Sequence, residues 1–308
     1  MNQHIVIGVD VGGSHITSAA IDLSTLQIIS NSTKSSKINN KGTKEEILRD
    51  WSAVINETIQ CIPQVKELKI GFAMPGPFHY KSGLAKFENN DKYENLFNVS
   101  IPEELPRFLN VKNVELRFLN DATSFGVGVS QVGKAKNYNN VIAVTLGTGF
   151  GSCFITKGIP VVNSSTVPKD GCLWDKPFKD GIADDYFSTR WFKNTYNEKS
   201  GKNVKGVKEV AEANNDYSKA VFSEFSLNLA EFMSPIIEQY KPELIVLGGN
   251  VSNASEHFIP KLKDELKKKN LKTKFTVSTL MEEAALIGSA RLFDSYFWDK
   301  VKNDLPNL

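Results

Sequence analysis

Two kinds of pattern alternate along this chain: β-branched apolar runs that break at glycine, and longer stretches whose apolar residues recur every three or four positions. His4 to Val11 is an apolar run that ends in Asp10-Val11-Gly12-Gly13-Ser14, and Ile16 to Asp22 resumes it, predicting a strand, a glycine turn and a strand. A third strand is expected near Gln27 to Ser32. Ile47, Leu48, Trp51, Val54, Ile55 and Ile59 then follow helical spacing over Thr43 to Ile62, with Thr43 as N-cap and Pro63 closing the helix. Lys69 to Met74 reads as a strand leading into Pro75-Gly76-Pro77. The polar, Asn-rich and aromatic stretch from Phe78 to Val99 reads as an excursion, the kind of segment that often carries ligand contacts. Val114 to Leu119 is a strand ended by Asn120-Asp121, Ala122 to Val132 a helix, and Val141 to Ile155 another strand, glycine turn and strand. Further on come a helix over Val221 to Tyr240 and a buried strand over Leu244 to Leu247 that runs into Gly248-Gly249-Asn250. A Lys-rich helix from about Ala254 to Lys269, a strand near Phe275 to Val277 and a closing helix from about Glu282 to Phe297 complete the pattern.

The two hairpin patterns match each other. Sliding the sequence by 135 (145 − 10) lays Asp10-Val11-Gly12 on Thr145-Leu146-Gly147, with Ile5 to Val9 over Asn140 to Val144. Buried strands share Val and Ile for packing reasons alone, so the common turn position is what argues for one unit present twice. No Pro/Ser linker or low-complexity tract separates the halves, which puts the boundary between fold units near Asn120 to Tyr138.

Composition narrows the function class. With 41% hydrophobic and 23% charged residues over 308 positions, the chain folds around a sizeable core. Lys plus Arg number 37 and Asp plus Glu 35, a formal charge of +2 that speaks against wrapping nucleic acid. Cys61, Cys153 and Cys172 are an odd number and lie far apart without C-x-x-C spacing, so neither a disulfide framework nor a zinc cluster is expected. The first residues lack a positive region, Asp10 breaks their apolar run, and no segment has the length of a membrane span. Together these features predict a cytoplasmic protein without a membrane partner.

Glycine turns let backbone amides approach an anion with no Cβ in the way. Neither a G-x-x-x-x-G-K-[ST] loop nor a G-x-G-x-x-G between strand and helix is present, so any phosphate binding must use the hairpins. Asp10, beside the first turn, is placed to hold Mg²⁺ through water, although an ordinary hairpin explains Asp10 to Gly13 equally well when taken alone.

The ordered set of motifs resembles the sugar kinases of the ROK family (repressors, open reading frames, kinases) in the actin, hexokinase and Hsp70-like ATPase superfamily, over nearly the whole chain. Ile7 to Thr17 (IGVDVGGSHIT) is similar to its first phosphate motif, Gly71 to Pro77 (GFAMPGP) to its G-x-x-x-P-G-P stretch, and Leu119 to Ala122 (LNDA) to its catalytic segment. Val144 to Gly151 (VTLGTGFG) resembles the second phosphate motif, Ile245 to Ser252 (IVLGGNVS) the adenosine motif, and Ala285 to Arg291 (ALIGSAR) the closing helix. The resemblance implies a two-domain α/β fold of the actin-like ATPase (ribonuclease H-like) type, with duplicated strand-hairpin units and an active-site cleft between domains. Residues 1–120, completed by a C-terminal helix at about 292–308, would form the first domain, and 121–291 the second. It also implies phosphorylation of a hexose hydroxyl by ATP and Mg²⁺, with glucose and its 6-hydroxyl as the default acceptor.

By the same resemblance Asp121 is the general base. The competing reading makes Asn120-Asp121 a cap for the helix that follows, a role which suits both residues. Gly12, Gly13, Ser14, His15, Gly147, Thr148 and Gly149 would cradle phosphates, Gly248 and Gly249 would lie against adenosine, and Gly76, Asn90, Asn120 and Asp121 would meet the sugar. Between Asn89 and Asn90 that last assignment stays open. His15 stands where many relatives carry Lys. Most bacterial members carry an E-x-G-H segment that touches the sugar and a C-x-C-G-x-x-G-C-x-E zinc segment, and this chain has neither, which predicts no zinc site. Gly181 to Ser188 (GIADDYFS) is similar to the family's G-C-L-E-x-Y-x-S, placing Asp184 at its sugar-binding Glu, with a solvated helix start as the alternative.

Two further features are read as structural. Lys261 to Lys274 is a solvated lysine face, and Tyr186, Phe187, Trp191 and Phe192 are packed core at helical spacing. The rival functions are a kinase for fructose, mannose, allose or an N-acetylhexosamine, and a non-catalytic sugar-sensing ROK protein. Family repressors carry an N-terminal helix-turn-helix ahead of the first strand, which begins here at about His4, so DNA binding is not expected. The resemblance favours a homodimer.

Overall fold

The computed structural model describes residues 4–63, 67–88, 92–280 and 282–306. Two mixed sheets share one topology. In the first, β1 (Ile5–Val11) and β2 (His15–Asp22) form the antiparallel hairpin, β3 (Gln27–Ile28) and β4 (Lys34–Lys37) both pair with β2, and β5 (Leu68–Met74) and β6 (Val114–Asn120) add in parallel on the far side of β1. In the second, β7 (Asn140–Leu146) and β8 (Phe150–Thr156) form the hairpin, β9 (Ile159–Pro160) extends it, and β10 (Leu244–Gly248) and β11 (Lys274–Val277) add in parallel beyond β7. The repeat read from the sequence is therefore a repeat of strand order. Val11 faces Ile16 across the first turn and Leu146 faces Phe150 across the second, which is one residue tighter.

Helix α1 (Lys44–Ile59) begins where expected, because Thr43 Oγ1 accepts from the Glu46 N–H while the Glu46 carboxylate accepts from the Thr43 N–H. It lays Ile47, Leu48, Trp51, Val54 and Ile55 on the first sheet and stops before Cys61 and Pro63. Helix α2 (Asp121–Gln131) follows β6 directly, and α3 (Thr189–Ser200), α4 (Asp216–Tyr240) and α5 (Ile259–Lys268) cover the second sheet. The chain then returns through α6 (Glu283–Ala290) and α7 (Ser295–Val301) to the first sheet, where Phe297, Val301 and Leu305 enter the same core as Ile7 and Phe72.

Four expectations need correction. The third strand is only Gln27–Ile28, because Leu26 and Asn31 take positive φ and the chain turns at both places. The helix expected from Val221 starts at Asp216, since Asn215 caps it by accepting from the Ser218 N–H. The Lys-rich segment is 3₁₀ over Asn250–His257 and becomes α-helical only from Ile259, with Pro260 in its first turn. The closing helix is broken: after a 3₁₀ turn at Arg291–Phe293, Asp294 takes an extended conformation and caps α7 through the Phe297 N–H at 2.8 Å.

Between the sheets, α2 and α6 cross backbone to backbone. A Cβ on Gly128 would stand 1.9 Å from the Ala284 carbonyl oxygen, and one on Gly288 1.8 Å from that of Ser124. Neither position has a flexible neighbour that can yield. Gly288→Ala should therefore cost about 1–3 kcal/mol or more of folding stability, measured by urea unfolding, and Gly128→Ala a similar amount. A neutral effect at both would show that the helices separate at little cost.

Candidate active site

The first hairpin turn, the end of β6 and the start of α2 meet in one cleft, where Asp10 and Asp121 feel each other's charge, and Ala122 stands close to Gly151 beside the second turn. Asn120 closes β6 and caps α2: its Oδ1 accepts from the Thr123 N–H at 3.1 Å, and its Nδ2 donates to the Asp121 carboxylate at 3.0 Å and to the Tyr80 hydroxyl at 3.2 Å. Asp121 Oδ1 also accepts from the Ala122 N–H at 2.8 Å. Capping thus belongs to Asn120, while the Asp121 carboxylate is held at the rim of the cleft. Burial raises its pKa above the ordinary carboxylate range, against the pull of the Ala122 N–H and the Lys92 ammonium.

Asp10 lies at the end of β1 in the field of that carboxylate. Its own carboxyl is pushed up to about 8, first by burial and then by the charges of Asp121 and Glu282. Glu282 precedes α6 and accepts from Thr17 Oγ1 and from His15 Nε2, each at 2.9 Å. Asp10 enters no ion pair among the described residues, and crowded carboxyls of this kind suit a hydrated divalent cation, which relieves their repulsion.

The first turn is held from outside. Its Gly12 N–H donates to the His15 carbonyl at 2.9 Å, the Tyr93 hydroxyl donates to the Gly12 carbonyl, and Asn40 Nδ2 donates to the Gly13 carbonyl. The Ser14 carbonyl accepts from the Ile38 N–H at 3.1 Å, so its backbone faces β4 while its side chain is exposed. In the second turn the Gly147 N–H donates to the Gly149 carbonyl, a Cβ on Gly147 would meet open space, and Thr148 sits at the exposed tip. Gly248 packs under the Phe125 ring, and Gly249, at φ +80°, lies so close to Leu146 that a Cβ would stand 2.3 Å from the carbonyl oxygen. That third glycine pair is thereby seated against the root of the second turn.

Asp184 stands at the second turn. Its Oδ1 accepts from the Phe150 N–H at 2.7 Å and its Oδ2 pairs with Arg190 at 3.1 Å, so both oxygens have partners. Thr189 clamps the same turn, donating from both N–H and Oγ1 to the Gly147 carbonyl at 2.8 Å. Gly76 is half-buried after β5 and precedes the cis bond to Pro77; Asn90 lies outside the described residues. Cys172 and Cys153 are buried thiols, and burial pushes Cys172 up to about 12 with smaller contributions from Asp170, Asp175 and Asp121. Among the described residues, no three His, Cys, Asp or Glu side chains are grouped to hold a metal ion.

Several residues of this cleft escaped the sequence reading: Tyr80, Lys92, Tyr93, Asn40 and Glu282. Tyr80, Lys92 and Tyr93 carried a signal only by lying in the polar, aromatic excursion, while Asn40 and Glu282 meet the turns only through space. The electrostatics of Asp10 set a stability test in metal-free buffer. A carboxyl raised from 3.8 to about 8 keeps its contribution to stability below pH 4 and loses it as the pH climbs to about 8. Asp10→Asn should therefore be more stable than the parent protein at alkaline pH by about 2–4 kcal/mol, at ~1.4 kcal/mol per pH unit with allowance for water in the cleft. Chemical unfolding at acid and alkaline pH measures this, and a pH-independent difference would refute the crowding.

The sequence model of the ROK family matches residues 6–295. The glucokinase of Thermotoga maritima is 24% identical over 93% of this chain and 96% of its own length. The N-acetyl-D-glucosamine kinase of Haemophilus influenzae is 26% identical over 80% of this chain and 84% of its own. A ROK family glucokinase from Streptomyces griseus, crystallised with glucose and AMPPNP, superposes with a TM-score of 0.73 over 94% of this chain and 98% of that one at 18% identity, which gives the fold as the two-domain actin-like ATPase type. Among the described residues no helix is long and apolar enough to cross a membrane. With the match running through both sheets, both hairpin turns and the helix pair between them, the chain belongs to the ROK family.

Proposed function

We propose that the protein transfers the γ-phosphoryl group of ATP to a hexose hydroxyl, with the 6-hydroxyl of glucose as the default acceptor and Asp121 as general base. The observation that carries this reading is the Asp121 carboxylate, fixed by Asn120 and the Ala122 N–H at the start of α2 and facing the same cleft as Asp10 and the first glycine turn. A sugar hydroxyl is a poor nucleophile. A carboxylate within hydrogen-bond reach orients it and takes its proton as the oxygen bonds to the γ-phosphorus and the bond to the leaving ADP oxygen breaks. A pKa raised by burial makes the Asp121 carboxylate a better proton acceptor than an ordinary aspartate.

In this reading the turns Gly12-Gly13 and Gly147-Thr148-Gly149 cradle the phosphates, with the Gly12 and Gly147 amides closing the turns and those of Gly13, Thr148 and Gly149 turned to the anion, Gly248 and Gly249 border the adenosine, and Asn120 and Gly76 face the sugar. Asp10 would hold Mg²⁺ through water; the cation, when bound, supplies neutralisation of phosphate charge. Asp184, already bonded to Phe150 and Arg190, would act on the sugar through one of those oxygens or not at all.

The test is ADP release with MgATP against glucose, fructose, mannose, allose and N-acetylhexosamines, run beside Asp121→Asn. We expect turnover with one sugar class and a loss of at least ~10³-fold in the variant, with the fold retained because the amide oxygen still accepts from Ala122. Normal turnover by Asp121→Asn would remove the base. No turnover with any sugar, together with thermal stabilisation by one of them, would leave a sugar-sensing protein. Since Asp121 must be ionised to accept the proton, kcat/KM should fall at acid pH, beginning above the range of an ordinary aspartate. Metal analysis of the purified protein should find no stoichiometric zinc, and activity should survive a zinc chelator.

A further inference from the structure

The hairpin's own histidine is already engaged: its ring lies against Gly12, with Nδ1 3.2 Å from where a Cβ would be, and its Nε2 is bonded to Glu282 at 2.9 Å. A cation with no such partner among the described residues reaches the same turn. Lys92 lies in the excursion between β5 and β6, and its stem runs along the first turn: Cε, Cδ and Nζ stand 3.2, 3.4 and 3.5 Å from where a Cβ on Gly13 would be. A side chain at position 13 would press on that stem and make it give by a few tenths of an ångström, so the glycine leaves the lysine its place along the turn.

The backbone that carries Lys92 is fixed. Tyr93, at φ +56°, donates its N–H to the Asn40 carbonyl at 2.9 Å and its hydroxyl to Gly12, while Asn40 Nδ2 donates to Gly13. The Tyr93 ring is buried against Trp51 and Phe87, with centroids 5.4 Å away in each case. These bonds tie the residue after Lys92 to the first turn. The ammonium is half-buried, forms no ion pair among the described residues, and its field reaches Asp121 from the side of the turn.

We propose that Lys92 is a phosphate-contacting residue whose ammonium sits between the first glycine turn and Asp121, meeting the terminal phosphate of the nucleotide and following its charge as it passes to the sugar. The proposal rests on the kinase reading given above. Negative charge on the transferred group's oxygens is what such a site must stabilise, and lysine supplies a compact charge with three donors on a stem long enough to follow a moving target. Lys92 takes and gives no proton; the hydroxyl proton goes to Asp121.

A contact with the terminal phosphate predicts a signature separable from turnover. Calorimetric titration of the full-length protein with AMPPNP and with ADP, each with Mg²⁺ at fixed ionic strength, should show Lys92→Met losing about tenfold or more in AMPPNP affinity and less than about threefold in ADP affinity. Lys92→Arg, which keeps the charge, should retain most of the AMPPNP affinity and report for the site if Lys92→Met folds poorly. Lys86→Met, in the same excursion but bonded to Asn98, should change neither affinity. In turnover, Lys92→Met should lose ~10²–10³-fold in kcat. Equal losses for both nucleotides, or none, would overturn the role of Lys92 while leaving the kinase reading intact. Failure of the unmodified protein to bind either nucleotide would overturn the kinase reading, and this proposal with it.

Discussion

The crossing of α2 and α6 is the constraint on which the site depends. These helices run antiparallel, with Gly128 against Ala284 and Gly288 against Ser124, so close that main chain touches main chain. Helix α6 is pressed as tightly to the first sheet, where a Cβ on Gly8 or Gly71 would stand 2.2 or 2.1 Å from its carbonyl oxygens, while α2 meets the second sheet through side chains, a Cβ on Gly126 standing 2.9 Å from Cβ of Cys153 on β8. The stack from the first sheet to α2 is thereby set by backbone dimensions, which do not yield as side chains do. Because Asp121 is the first residue of α2 and Glu282 the last before α6, the same contacts fix where both carboxyls stand relative to β1 and its Asp10.

What that placement creates is an unfavourable arrangement in the free protein. Burial of Asp10 beside Asp121, with the exposed Glu282 adding its charge, pushes the Asp10 carboxyl up to about 8. Nothing in the packing demands an acid there. Val9 and Val11 flank Asp10 in the same strand and are buried without difficulty. An arrangement that costs stability and is unneeded by the fold marks this cleft as the candidate functional site of the molecule. The ends of α2 and α6 therefore concentrate negative charge, while His15 and Lys92 bring the opposing groups from a strand edge and a loop.

Most strands and both glycine turns could be read in the sequence because each is a short, buried, β-branched run with an abrupt stop, a signal contained in the run itself. The same holds for α1, whose cap and apolar spacing agree. Where two local signals compete, reading by apolar spacing fails. From Glu282 to Phe297 the spacing continues unbroken, yet Asp294 followed by Ser295 is also a cap, and the cap won. The first turn of α4 is polar and invisible to apolar spacing, although Asn215 marks it. Asp121 and the turn glycines were legible as residues that resemble a family's motifs. The groups that hold them in place, Tyr80 on Asn120, Tyr93 on Gly12 and Asn40 on Gly13, come from segments with no periodicity of their own.

The repeat explains this division. Both halves supply a hairpin, two parallel strands and a glycine turn in one order, and that much survives as matching sequence. The clamps on the two turns do not match. Side chains of Asn40 and Tyr93 bond the carbonyls of the first turn, whereas Asp184 takes the Phe150 N–H at the edge of the second and Thr189 the Gly147 carbonyl. Unequal clamps tie the first turn to the excursion that carries Lys92 and Tyr93, and the second to the helix that begins at Thr189. The duplicated scaffold thus sets where the two turns lie, and the unduplicated insertions set which side chains reach each of them.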